Sequence, residues 1–146
     1  MSTVSPHLLS EAEFDALDLA TSSAFVRGAG LVVTTVDATS VRGHIDLTDE
    51  HHTPWGIVHG GVYATAIESA ASIGATTAVR DRGMVAVGLT NTTQFLRSLT
   101  EGRVHVAATA LHQGRSQQLW KVDVTDERGR LIAHGELRLQ NLATPS

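Results

Sequence analysis

Cysteine is missing from this chain of 146 residues. Its absence excludes disulfides, thiolate zinc sites and a cysteine nucleophile. Lysine is nearly missing as well: Lys121 stands alone beside the arginines, and the formal net charge is −4. No basic run and no interleaving of basic with aromatic residues occurs, so nucleic-acid binding finds no support. No apolar run is long enough to span a bilayer, and no membrane partner is expected. The first residues, MSTVSPHLLSEAEFDAL, lack the basic start and apolar core of a secretion signal, so a cytoplasmic location is the expectation. His51, His52 and His59 lie close in sequence, but their spacing fits no usual zinc pattern and no metal is expected.

What is present is ordinary for a globular chain: 42% hydrophobic and 18% charged residues. The length suits one domain, 1–146, with a real core. Residues 1–9 are expected to be loose. Ser10 and Glu13 have the spacing of a capping box, and Phe14, Leu17 and Leu19 follow, which predicts a short helix. Leu31 to Val36 is β-branched and apolar. After the turn at Asp37-Ala38-Thr39, Val41, Gly43, Ile45 and Leu47 alternate with polar residues, which predicts a hairpin. Asp49 to Val58 reads as a loop. From about Gly60 to about Val79 the pattern is helical, rich in alanine and apolar nearly all round, the mark of a buried helix. Four strand-like segments follow: Met84–Leu96, Val104–Leu111, Gln118–Val124 and Leu131–Leu139. The expected fold is α+β, a mostly antiparallel sheet wrapped around one long central helix.

The stretch from His52 to Gly74, HTPWGIVHGGVYATAIESAASIG, concentrates the chemistry. Gly60 and Gly61 open the long helix and leave backbone N–H groups available to a ligand. Glu68 is the one acid on a helix of small apolar residues. Together they suggest a carbonyl polarised by backbone and attacked with help from a carboxylate. Glu68 is then a nucleophile or a general base on water, and the sequence leaves both open. Ser72 is one turn further along the same face, placed either to hold the carboxylate or water or to bond its own helix. A bland reading stands beside each. Glu68 is a salt-bridged or solvent-facing acid, and the glycine pair merely permits close packing. His59 is either a structural imidazole bonded to nearby backbone or a direct contact to the substrate. One constraint is geometric. Gly60 and Glu68 lie about 12 Å apart at 1.5 Å per residue. If both serve one reaction, they come from two antiparallel chains, and a homodimer with two composite sites is required.

The order of elements, His59-Gly60-Gly61 opening the helix and an acid eight residues after Gly60 resemble the hotdog-fold acyl-CoA thioesterases over nearly the whole chain. The branch most similar contains the Glu-type 4-hydroxybenzoyl-CoA and the 1,4-dihydroxy-2-naphthoyl-CoA thioesterases. There the loop looks like H-Q-P-F-G-L-x-H-G-G and the helix carries A-E-S. Here the stretches are His52-Thr53-Pro54-Trp55-Gly56-Ile57-Val58-His59-Gly60-Gly61 and Ile67-Glu68-Ser69. Val87-Gly88-Leu89, Arg97-Ser98, Glu101-Gly102-Arg103-Val104, Leu111-His112-Gln113-Gly114 and Asp126-Glu127-Arg128-Gly129-Arg130-Leu131 also resemble that branch. The resemblance implies hydrolysis of an aromatic or medium-chain acyl-CoA, with coenzyme A only as part of the substrate and no other cofactor. It also implies a homodimer paired further into a homotetramer. One departure is plain: Thr53 stands where that branch has Gln or Asn to orient thioester or water. Arg97, Arg115 and Ser116, at turns matching those that meet coenzyme A, are candidates for its phosphates; the bland alternative is ordinary solvated charge. Two rival readings remain at this level, a hotdog enoyl-thioester hydratase or dehydratase and a non-catalytic acyl-CoA sensor.

Overall fold

A computed structural model describes residues 23–144. The short helix expected from the Ser10 and Glu13 capping box, and residues 1–9, expected to be loose, lie outside that range. The element order is α1 (Ala24–Ala29), β1 (Val32–Val36), β2 (Ser40–Leu47), α2 (Gly60–Val79), β3 (Met84–Phe95), β4 (Gly102–Gln113), β5 (Gln117–Asp126) and β6 (Leu131–Ala143). Short 3-10 turns follow β2 at Asp49–His51 and α2 at Arg80–Arg82. All six strands form one antiparallel sheet in the order β1-β2-β4-β5-β6-β3. This is the hotdog arrangement, with α2 lying across the sheet's inner face.

The long helix occupies the span that the alanine-rich pattern predicts. Its burial is one-sided within this chain: Tyr63, Ala66, Ile67, Ala70, Gly74 and Val79 are buried, while Glu68 is exposed and Val62 and Ile73 are half-buried. The small residues do what small residues permit, which is close approach. A Cβ on Gly74 would sit 2.4 Å from Trp120 Cη2, and one on Gly135 would sit 2.8 Å from Ile67 Cγ2. The helix therefore rests directly on the Trp120 ring, which is fully buried among Val41, Val106 and Val122. Alternation along β5 and β6 supplies the sheet side of this core, with Trp120, Val122, Val124, Ala133, Leu137 and Leu139 inward.

The sequence pattern missed α1. Ser23 caps it through a 3.4 Å bond to the Val26 amide, and Gly30 ends it at φ 79°. A serine cap and a left-handed glycine seven residues on bracket a helix too short to show a period. Among the described residues no helix is long and apolar enough to cross a membrane.

Candidate active site

The loop before α2 is fastened at both ends by backbone. His52 and Val58 form a bridge, Val58 N–H donates to Leu99 O at 2.9 Å, and His59 N–H donates to His51 O at 2.8 Å. Inside the loop, Thr53 N–H donates to Ile57 O at 2.7 Å, and Gly56 turns the chain at φ 82°. Three clustered histidines each hold structure. His51 Nδ1 accepts from Thr48 N–H at 3.0 Å, His52 Nε2 meets Thr100 O at 2.6 Å, and His59 Nδ1 accepts from Gly61 N–H at 2.8 Å. His59 is thus the cap of α2, with its imidazole bonded to nearby backbone. Because Nδ1 accepts, the neutral ring carries its proton on Nε2, leaving that N–H as a donor. Among the described residues no group of His, Asp and Glu is arranged to hold a metal.

The cap decides which glycine amide is available. Gly61 N–H is taken by His59, and Val62 N–H by His59 O at 3.0 Å. Gly60 N–H, the first of the helix's orphan donors, has no partner among the described residues. It opens on a cleft of about 530 Å³ bordered by Thr53, Ile57, His59, Tyr63, Phe95 and Arg97. The Phe95 ring closes one side, 2.9 Å from where a Gly60 Cβ would stand. The Thr53 hydroxyl accepts from Trp55 N–H at 3.2 Å, so it is engaged by its own turn.

Glu68 is exposed, and its carboxylate makes no hydrogen bond or ion pair with any described residue. Its Oε1 lies 3.7 Å from where a Gly88 Cβ would stand. Ser72 is half-buried one turn beyond. Gly60 and Glu68 of one chain are therefore not brought together: the first rests against Phe95 and the second beside Gly88, at two places along β3. Those two residues are an odd number apart, yet both face the helix. A bulge between Gly88 and Thr90 skips Leu89 in the pairing with β6 and restores the facing. Between them Asn91 Nδ2 donates to Ala64 O at 3.1 Å, tying β3 to the N-terminal part of α2.

Arg115 and Ser116 are exposed in the β4–β5 turn, outside this cleft. Two lining residues escaped the sequence pattern. Phe95 comes from a strand far along the chain. Tyr63 sits on the buried stripe of α2, where it reads as core. Its hydroxyl is buried without a hydrogen-bond partner, and burial pushes its pKa up to about 12.

The model of the family described as the Thioesterase superfamily matches residues 56–133. A Mycobacterium tuberculosis protein provisionally named esterase Rv1847 is 42% identical over 115 residues, covering 77% of this chain and 82% of that protein. Its solved structure covers 85% of this chain and 100% of its own, with a TM-score of 0.81 and 40% identity. The 1,4-dihydroxy-2-naphthoyl-CoA hydrolase of Listeria monocytogenes is 34% identical over 103 residues, covering 70% of this chain and 83% of that enzyme. The class these matches define is that of hydrolases of acyl thioesters. The chain belongs to the thioesterase superfamily.

Proposed function

We propose that this chain hydrolyses an aromatic or medium-chain acyl-CoA to free acid and coenzyme A, in a site shared by two copies. One observation carries the reading. The unpartnered Gly60 amide and the unpaired Glu68 carboxylate lie on one helix, each against a different residue of β3. That strand is one of the two edges of the sheet, twelve residues long, with Val87, Leu89 and Phe95 exposed. An open edge of this length is a template for strand pairing. A two-fold axis through Thr92, with Leu89 skipped as it is against β6, sets Phe95 opposite Gly88 of the partner subunit. Gly60 of one copy then faces Glu68 of the partner subunit, and the pair forms two equal sites.

In such a site the thioester oxygen accepts the Gly60 N–H as negative charge develops, aided by the positive end of the helix dipole. Glu68 takes a proton from water as the water attacks the carbonyl carbon. The C–S bond breaks, and the thiolate leaves with the proton that Glu68 returns. In the alternative, the carboxylate attacks directly and water cleaves the resulting anhydride. The Listeria relative, named for an aryl-CoA substrate, supports the aromatic preference.

The test is complementation on a panel of aryl-, aliphatic- and β-keto-acyl-CoAs. Glu68→Ala and Gly60→Pro each abolish thiol release when alone. Unfolded and refolded together, half the dimers are hybrids with one intact site, so about a quarter of wild-type activity returns. Two inactive variants that stay inactive when mixed sink the shared site. Wild type without turnover on every thioester sinks the hydrolase reading.

A further inference from the structure

We infer that His51 is a specificity residue, whose Nε2–H selects acyl groups that carry an uncharged oxygen. This rests on the acyl-CoA reading above. A second cleft, of about 580 Å³, lies between α1 and the first turns of α2. Phe25, Ala29, Val62 and Thr65 border it, and Glu50, His51 and His52 line it from the segment before α2. It meets the Gly60 cleft at His59 and Gly61, which border both. From Gly61 to Thr65 is about 6 Å along the helix, room for one ring or a short chain. The second cleft thus begins beside the Gly60 amide, where the thioester carbonyl is to be held, and takes the acyl group.

The walls are mostly apolar, so the few polar atoms on them carry the selection. His51 is only 8% exposed, and its Nδ1 accepts from Thr48 N–H at 3.0 Å. The neutral ring therefore carries its proton on Nε2. That N–H has no partner among the described residues. Among those residues only the Tyr63 hydroxyl is both sealed from solvent and unpaired, so the His51 N–H is reachable from the cleft. Gly30 leaves it room: a Cβ there would stand 3.3 Å from Nε2. His59 is held in the same tautomer by Gly61 N–H and keeps its own Nε2–H as a donor. His52 is fixed the other way. Thr100 O only accepts, so His52 Nε2 donates to it at 2.6 Å, and the neutral ring keeps Nδ1 as an acceptor. Two imidazole donors and one imidazole acceptor thus border an apolar space. A hydroxyl, which accepts and donates, matches that set, and a keto oxygen matches the donors. A bare hydrocarbon that displaces water from the cleft leaves the His51 donor unpaired, which costs affinity. The exposed Glu50 carboxylate at the rim repels an anionic acyl group.

The experiment compares acyl groups that differ by one oxygen. In the first arm, kcat/KM is measured for benzoyl-CoA against its hydroxybenzoyl isomers and carboxybenzoyl-CoA, and for hexanoyl-CoA against its hydroxy and oxo derivatives. In the second, uncleavable thioether analogues of the same pairs are titrated calorimetrically. The proteins are wild type, His51→Asn and His51→Gln. Asparagine keeps an acceptor near the Nδ1 position for Thr48 N–H but has no donor at the Nε2 position. Glutamine carries an amide donor to the Nε2 position and has no acceptor at Nδ1. Wild type is expected to favour an oxygenated member of at least one pair by about tenfold, the worth of one neutral hydrogen bond. Which pair shows it distinguishes a phenolic oxygen from a chain oxygen. His51→Asn loses the preference and His51→Gln keeps most of it, whereas thermal stability, which follows the Thr48 bond, ranks Gln below Asn. No preference in wild type, a preference unchanged in His51→Asn, one that follows stability instead of the donor, or carboxybenzoyl-CoA as the best substrate overturns the inference. Wild type inert on every thioester counts against the hydrolase reading, while the thioether titration still decides the role of His51.

Discussion

The Phe95 ring packs against Gly60 so closely that a methyl group there would stand 2.9 Å from its Cε1. Any side chain at position 60 displaces the ring, so a loss of activity in one variant would not by itself implicate the amide. Two variants separate the effects. Gly60→Ala crowds Phe95 and keeps the N–H. Gly60→Pro sets the same Cβ against Phe95 and replaces the N–H with the ring's Cδ. Proline is well suited to the first position of a helix. The preceding His59, at φ −67° and ψ 131°, already has the conformation that a following proline demands. Both variants should fold, and kcat of Gly60→Pro should fall a further 10²–10³-fold, roughly, below Gly60→Ala, the usual cost of one oxyanion donor. Equal rates in the two would remove the Gly60 amide from the mechanism.

Tyr63 presents a different problem, a buried hydroxyl with no acceptor. Leaving such a group unpaired costs about 1–3 kcal/mol. Tyr63→Phe keeps the ring and removes the unpaired oxygen. Its urea midpoint should equal or exceed that of wild type, with m unchanged. Because burial resists the phenolate and pushes its pKa up to about 12, the absorbance change near 295 nm that marks ionisation should appear only at strongly alkaline pH. A phenol titrating near 10, the unperturbed value, would show that the hydroxyl reaches water.

The helix from Gly60 to Val79 and the hairpin of β1 and β2 were legible because their signals are local: an alanine-rich period and an alternation of two. The later strands were legible in place, and β4, β5 and β6 run longer than their expected segments, as β4 does in reaching Gln113. Ladder hydrogen bonds extend pairing past the residues that pattern can see. At the site, the sequence showed the glycine pair and the acid but left two roles open for His59. The structure adds a 2.8 Å bond from Gly61 N–H to His59 Nδ1, a contact between residues only two apart in the chain. Phe95 was invisible because its contact with Gly60 joins a helix start to a strand far along the chain. The Gly88–Thr90 bulge was hidden for the same reason: only pairing with β6 defines which residue is extra. His51 reads as one more histidine of a cluster, and nothing local ties it to the cleft beside α1.

Packing at the centre of the sheet gives a sharper test of the fold. Gly74 lets α2 lie on Trp120, where a Cβ would stand 2.4 Å from Cη2 and 2.9 Å from Val41 Cγ2. Trp120 is fully buried and its indole is held by Gln118, so the ring has no easy retreat. Gly74→Ala gains helix propensity of roughly 1 kcal/mol. Overpacking costs typically 1–3 kcal/mol and more against a rigid partner. The balance is expected to be net destabilisation, read as a lower denaturation midpoint. Trp120→Phe should be less stable alone, yet should accept Gly74→Ala at little further cost. Simple additivity of the two would show that the helix stands further from the ring.

Acid should loosen the β5–β6 turn before the rest of the sheet. Burial of the Asp126 carboxyl raises its pKa, but the Arg130 amide and guanidinium and the Arg128 amide outweigh that and hold it below the ordinary carboxylate value. The guanidinium contact is 2.7 Å, and the two backbone bonds are 2.9 and 3.0 Å. A carboxyl whose folded pKa is depressed gives stability that is fully present above its unfolded value and is lost as pH falls through the folded one. The contribution should therefore be intact at neutral pH and decline below about 4, the unfolded value of an aspartate. Asp126→Asn keeps an acceptor for the two backbone amides but removes the charge. Its thermal midpoint should lie below wild type at pH 7, and the gap should narrow as pH is taken below about 4. A gap that stays constant across that range would show that the hydrogen bonds alone hold the turn and that the charge on Asp126 contributes nothing.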